Sequence, residues 1–228
     1  MFDRTWSQLP DFMRVSEVKK YYKHLNGHRT ELKIKRTVDV FMAAVLLVIL
    51  SPIMAAIAVA IKLDSSGPVF FRQERITQYG RKFKIFKFRT MVKDAPKLGS
   101  QVTVENDARI TRVGAKIRKY RIDELPQLIN VLTGDMSFVG TRPEVVKYVK
   151  AYSPEMLATL LLPAGITSRA SIEYKDEEKL INGAADVDRT YIEQVLPEKM
   201  KYNLDSIMNY SLLDDFKIMV ATVFAVMK

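Results

Sequence analysis

The chain has 228 residues, and its 36 Lys and Arg against 26 Asp and Glu give a net charge of +10. That length suffices for one domain with a packed core plus an anchor, and the positive excess calls for an anionic partner: membrane phospholipid, nucleic acid or a phosphorylated substrate. No cysteine is present and the histidines are His24 and His28 alone, so disulfides and thiolate metal centres are excluded and acid–base or nucleophilic work falls to carboxylates.

Residues 1–33 read as a polar N-terminal extension in which Phe2, Trp6, Leu9 and Phe12 are scattered apolar contacts; the periodicity is weak and assigns no function. Residues 34–62 hold the membrane segment. From Val40 to Ile61 there are 22 uncharged residues, enough at about 1.5 Å each to just cross a hydrocarbon core of about 30 Å. Hydropathy alone fits a Pro-kinked span as well as a hairpin. Charge separates them: Lys33, Lys35 and Arg36 precede the run, and nine basic residues from Lys62 to Lys93 follow it against Asp64 and Glu74. Basic flanks mark the cytoplasmic side, so a hairpin satisfies both ends and a span only one. Ser51-Pro52 supplies the break. The proline removes a backbone donor, and the serine hydroxyl can serve the carbonyl so freed. A signal peptide fits less well, the run being too long and too far along the chain.

In residues 63–228, Gly67-Pro68 marks a turn, and Val69–Phe71 and Phe83–Phe88 read as strands around Tyr79-Gly80. Residues 93–105 read as a loop. Helical spacing is predicted over Ile110–Tyr120, from Asp123 to Gly134, over Glu144–Leu162, over Tyr191–Met208 with a break at Leu196-Pro197, and over Ser211–Met227; Met136–Pro143 reads as a loop. The last helix, with Phe216, Ile218, Val220, Val223 and Phe224, suits the headgroup plane, and a core helix fits nearly as well.

Asp123-Glu124 is the sharpest carboxylate pair. Read locally, Asp123 caps a helix whose first turn holds Pro126, and Glu124 complements its dipole. The same geometry suits an ionised nucleophile toward phosphorus beside free N–H groups. Cations suited to phosphate surround the pair in sequence: Lys87, Arg89, Arg109, Arg112, Arg118, Arg121 and Arg142. Each alone is an ordinary surface charge.

Six motifs then stand in order: Lys35-Arg36-Thr37-Val38-Asp39, Ser51-Pro52, Gly67-Pro68-Val69-Phe70-Phe71-Arg72-Gln73, Phe86-Lys87-Phe88-Arg89-Thr90-Met91, Asp123-Glu124-Leu125-Pro126-Gln127-Leu128-Ile129-Asn130-Val131, and Gly134-Asp135-Met136-Ser137-Phe138-Val139-Gly140. From about Lys33 to the C-terminus the chain resembles the bacterial sugar transferases, monotopic polyprenyl-phosphate phosphoglycosyl transferases. The resemblance implies transfer of a phosphosugar from a UDP-sugar to undecaprenyl phosphate, with Mg²⁺, giving undecaprenyl-diphosphate-sugar and UMP at the cytoplasmic face of the inner membrane. It implies Asp123 as nucleophile and Mg²⁺ ligand, and Glu124 as its partner, positioning or deprotonating the acceptor. It also implies Lys35 and Arg36 holding phospholipid or polyprenyl phosphate, and Arg142 with Pro143 binding nucleotide; Lys87, Arg89 and Arg118 join the substrate-binding set. Thr141 stands where that family commonly has a proline, which frees one backbone N–H in the loop. Asp188, Asp205 and Asp215 are read as structural.

The fold expected is mainly α with a small β element: a re-entrant membrane helix and a cytoplasmic-face catalytic domain with interfacial amphipathic helices. The partners expected are the UDP-sugar, undecaprenyl phosphate and an anionic phospholipid membrane, without nucleic acid; a homodimer is left open. The rivals are a non-enzymatic basic protein of the membrane surface and an Asp-dependent phosphohydrolase. The sugar and the glycan pathway are not legible.

Overall fold

The computed structural model describes residues 2–95, 107–174, 184 and 186–227. The expected loop therefore lies outside the described residues over 96–105. In chain order the helices are α1 (Ser16–Gly27), α2 (Arg29–Asp64), α3 (Arg112–Lys119), α4 (Gln127–Thr133), α5 (Val146–Val149), α6 (Arg169–Glu173), α7 (Val187–Thr190), α8 (Leu196–Met208) and α9 (Leu212–Met227). The strands are β1 (Phe70–Ile76), β2 (Lys82–Phe88), β3 (Met136–Val139) and β4 (Ala164–Thr167). β1 and β2 form an antiparallel hairpin, and β3 and β4 a separate parallel pair. The expectation of a mainly helical chain with a small β element holds.

α2 is the one helix among the described residues long and apolar enough to cross a membrane. It runs unbroken in hydrogen-bond pattern through Pro52. Ser51 Oγ donates to the Val48 carbonyl at 2.8 Å, and that carbonyl is the one whose i+4 donor proline lacks. The predicted compensation is present. One face of α2 packs on the domain along both arms. Ala43, Leu46, Leu47 and Leu50 join Phe83, Leu128, Val131 and Met136, while Met54, Ile57, Ala58 and Ile61 join Phe88 and Ile117. The opposite face leaves Phe41, Val48, Ile49, Ile53, Val59 and Leu63 exposed. So apolar a surface in contact with water is unfavourable by about 25 cal/mol per Å², which marks it as a lipid or partner surface.

Polar groups tie α2 down near its start. Lys35, which is buried, pairs with Asp215 of α9 at 2.7 Å. Arg36 donates to the Val131 and Leu132 carbonyls at 2.6 and 3.1 Å, capping the C-terminal end of α4 as a cation there should. Asp39 accepts from Ser137 Oγ at 2.7 Å on β3. Lys35 and Arg36, expected to hold phospholipid or polyprenyl phosphate, lie with Asp39 at the contact between the long helix and the domain.

Several local expectations change. Residues 2–32, read as a polar extension with scattered apolar contacts, contribute Phe2, Leu9, Met13, Val18, Tyr21, Leu25 and Leu32 to a core with Leu160, Leu161, Ile207 and Tyr210. Met136–Val139 is a strand, because its parallel partner β4 lies 25 residues on and no local pattern announces it. The helix expected over 144–162 is reduced to α5 and a 3-10 segment, Met156–Leu161. Leu196-Pro197 breaks nothing: Pro197 sits in the first turn of α8, directly after a π-helical turn, Tyr191–Val195.

Candidate active site

Asp123 and Glu124 lie in a 3-10 turn, Ile122–Glu124, between α3 and α4. Asp123 is therefore not the helix cap that sequence reading offered; Pro126 occupies the N-cap of α4. Arg121, just before the turn, holds φ +50°, a left-handed conformation uncommon for a residue with a Cβ. Such a conformation costs on the order of 1–3 kcal/mol and persists only where its surroundings fix it. Here α3 and α4 are both anchored. Thr111 caps α3 through the Gly114 amide at 3.0 Å, and Asn130 of α4 clasps β2, accepting from the Phe86 amide at 2.8 Å and donating to the Lys84 carbonyl at 3.2 Å.

The hairpin sorts its cations by strand parity. Lys87, on the inward face, reaches Glu124 at 2.9 Å, and Arg75, on the same face, donates to the Pro143 carbonyl at 3.1 Å. Arg89, just beyond β2, is buried and donates to the Ser65 carbonyl at 2.6 Å and to Ser65 Oγ at 2.9 Å. It fastens the end of α2 and is not directed at the carboxylate pair.

Arg142 follows β3 on a loop whose path is set by glycine. A Cβ on Gly165 would stand 2.2 Å from the Gly140 nitrogen, so the two backbones can touch only because both residues lack side chains. Gly140 donates to the Thr167 carbonyl at 3.0 Å and Gly165 to the Thr141 carbonyl at 2.9 Å, holding Thr141 in place without the proline expected there. Arg142 then grips Glu124 with two nitrogens, Nη2 to Oε1 at 2.5 Å and Nη1 to Oε2 at 3.2 Å. Pro143 is buried, and its carbonyl accepts from Arg75.

Behind this loop a buried network was not foreseen. Tyr191 donates to Glu144 Oε1 at 2.6 Å, and Lys199 donates to the Tyr191 hydroxyl at 3.0 Å. The one sequence signal was an acidic residue directly after Arg142-Pro143; Tyr191 and Lys199 lie some fifty residues further on, where spacing gives no warning.

The two carboxylates differ in electrostatic state. Burial would raise the Glu124 pKa, but Arg142 and Lys87 outweigh it and hold the group well below the ordinary range. Asp123 is pushed above its ordinary value, first by burial, with Lys87, Arg118 and Arg142 opposing and Glu124 adding to the rise. Among the described residues Asp123 accepts no side-chain hydrogen bond and forms no ion pair within 4 Å, whereas Glu124 is fully engaged. One carboxylate is thus held by two cations, and the other has no side-chain partner among the described residues. Of the expected set, Asp123, Glu124, Lys87 and Arg142 converge, and Arg118 contributes its field; Lys35, Arg36 and Arg89 lie at the contacts of α2 with the domain.

No group of three carboxylate or imidazole ligands occurs among the described residues. Mg²⁺ is commonly held by one or two carboxylates with substrate phosphates and water completing its shell. Asp123, unpartnered by described side chains, fits that role.

Residues 30–228 match the family model described as Bacterial sugar transferase. The chain is 40% identical over 194 residues to the UDP-N-acetylgalactosamine-undecaprenyl-phosphate N-acetylgalactosaminephosphotransferase of Aeromonas hydrophila, covering 83% of this chain and 43% of that protein. It is 36% identical over 227 residues to the UDP-glucose:undecaprenyl-phosphate glucose-1-phosphate transferase of Escherichia coli (strain K12), covering 98% and 46%. A protein of the latter name from Caulobacter vibrioides is 38% identical over 194 residues, covering 83% and 68%. The chain spans about half the length of the first two.

Proposed function

This chain belongs to the bacterial sugar transferase family, and we propose that it transfers a sugar phosphate from a UDP-sugar to undecaprenyl phosphate at the cytoplasmic face of the inner membrane. The observation that carries the chemistry is the division of labour at residues 123 and 124. An Asp123 oxygen attacks the sugar-linked phosphorus; the new bond is carboxylate oxygen to phosphorus, the bond to the bridging oxygen breaks, and UMP leaves. A phosphate oxygen of undecaprenyl phosphate then attacks the same phosphorus, forming the diphosphate and freeing Asp123. Asp123 would hold Mg²⁺, which would supply charge neutralisation for the leaving nucleotide.

Glu124 keeps Arg142 and Lys87 beside the reacting phosphate, where positive charge favours two anionic substrates that an aspartate would otherwise repel. A proton acceptor is not needed, since a phosphate monoester with a second pKa near about 6 is mostly dianionic at pH 7. Its low pKa makes Glu124 a poor base in any case.

The re-entrant reading of α2 belongs to the same proposal. It is supported by the basic flanks, by the Ser51–Val48 bond that eases a bend, and by both arms packing against one domain; a straight crossing would carry one arm away from it. Since the chain has no cysteine, single cysteines at Thr30 and Ser66 can be labelled in spheroplasts with a membrane-impermeant maleimide. Protection of both until lysis is expected, and labelling of only one from outside would make α2 a span.

The test of the activity is UMP release from a panel of UDP-sugars with Mg²⁺, with and without undecaprenyl phosphate. Acceptor-dependent turnover with a preferred sugar is expected. Release of sugar phosphate to water, indifferent to the acceptor, would instead make the protein a phosphohydrolase.

A further inference from the structure

Strand parity divides the basic run after α2 into two populations. Inward go Arg75 and Lys87, toward the Pro143 loop and Glu124. The other parity of the hairpin carries four cross-strand rows: Phe70 opposite Phe88, Arg72 opposite Phe86, Glu74 opposite Lys84, and Ile76, which is buried, opposite Lys82. In the first row Phe70 stacks on Phe88 with ring centroids 5.6 Å apart, and Phe88 lies in the same cluster as Ile61 near the end of α2. Phe70 is 37% exposed and Leu63, on the last turn of α2, 85% exposed. In the second row the Arg72 guanidinium lies 3.5 Å from the centre of the Phe86 ring, which also meets Phe70 edge-on.

Further out the face is charged. Glu74 is taken by Lys82 at 2.9 Å, and neither Arg72 nor Lys84 has a carboxylate partner among the described residues. Moving away from the apolar helix, the outer face therefore passes from phenylalanine to arginine-on-phenylalanine to lysine. That is the order in which a bilayer changes from acyl chain to headgroup: aromatic rings favour the boundary, and basic side chains reach the anionic phosphates beyond it. Phe88 is buried against the end of α2, but a face open to solvent has no need of phenylalanine at 70 and 86 as well.

We propose that the outer face of the β1–β2 hairpin, centred on Phe70, Arg72, Lys84 and Phe86, is a docking surface for the headgroups of anionic phospholipid. It rests on the reading that α2 enters the membrane and extends that contact onto the sheet whose other face holds Lys87. Seating one face of the hairpin in the headgroup layer fixes the height of the catalytic carboxylates above the lipid phosphates.

The test uses nitroxide labels on single cysteines in the full chain, in nanodiscs of phosphatidylglycerol with phosphatidylethanolamine or of phosphatidylcholine alone. Val48→Cys reports the membrane helix, and Phe70→Cys and Lys84→Cys the hairpin. In the anionic discs, collision with a nickel chelate at Phe70→Cys should fall several-fold below that of an aqueous nitroxide, with a smaller loss at Lys84→Cys. The loss at Phe70→Cys should shrink in phosphatidylcholine, and in the anionic discs when Arg72→Ser and Lys84→Ser are added. An immersed Val48→Cys label with fully aqueous hairpin labels would overturn the docking surface and leave the membrane helix standing. Aqueous labels at all three would remove the membrane reading itself. A hairpin label that is aqueous in both discs but shielded by added UDP would make the aromatic face a nucleotide platform, overturning lipid docking in favour of base stacking.

Discussion

Asp123→Asn is expected to lower UMP release by about 10³-fold or more while raising the melting temperature. The loss follows from removing the attacking oxygen, a change that eliminates one step outright and so ranks with nucleophile deletions in other covalent enzymes. The gain follows from burial, which raises the Asp123 pKa more than Lys87, Arg118 and Arg142 lower it. A carboxylate whose folded pKa lies above its unfolded value favours the folded state at low pH, and that contribution is lost as pH rises through the folded pKa. At pH 7 the ionised Asp123 is therefore a cost that asparagine relieves. The variant is therefore expected to melt above the wild type at pH 7. Calorimetry at pH 7 and pH 4.5 checks it: the gap between variant and wild type should narrow at the lower pH. A variant that is both inactive and less stable would make Asp123 a structural group.

Glu124→Gln is expected to cost about 3–5 kcal/mol of stability at pH 7, the range for breaking a buried ion pair by removing one partner. The Glu124 side chain is only 10% exposed, and its partners Lys87 and Arg142 are 18% and 27% exposed; without it two cations face each other across the site. The sign is opposite to that of Asp123. Its folded pKa is depressed, so the contribution is fully present above the unfolded pKa and disappears as pH falls through the folded value. Denaturant melts should show a full gap at pH 7 that closes at lower pH, in the range below about 4. Activity separates holding cations from proton transfer. If Glu124 holds cations, its loss removes a negative neighbour and lets Lys87 and Arg142 act on Asp123, so the acid limb of the residual pH–rate profile moves down. Were Glu124 the general base, that limb would vanish.

The elements closest to the chemistry were legible because their signals are local. Alternation of apolar and basic residues from Phe83 to Phe88 is a strand by its period of two, and β2 is there. Ser51-Pro52 announced its own compensation, since proline removes a donor whose acceptor lies one turn back. What could not be read depends on contacts far apart in sequence. Met136–Val139 becomes a strand only because Ala164–Thr167 lies beside it. Lys35, Arg36 and Arg89 resemble surface cations until the partners that bury them, Asp215, the end of α4 and Ser65, are brought into reach. The cap that local reading also offered for Asp123 is absent, because nothing local signals that Arg121 takes a left-handed turn before it.

The central claim is that Asp123 carries the phosphosugar between two displacements. The most direct measurement is peptide mass spectrometry of the protein mixed with its preferred UDP-sugar and Mg²⁺ in the absence of undecaprenyl phosphate, quenched in acid. A mass increase of one sugar phosphate on the peptide containing Asp123 is expected, with stoichiometric UMP and disappearance of the adduct on adding undecaprenyl phosphate. A chase in which UMP forms only when the acceptor is present, with no adduct at any time, would mean direct transfer between the two substrates and would contradict the claim.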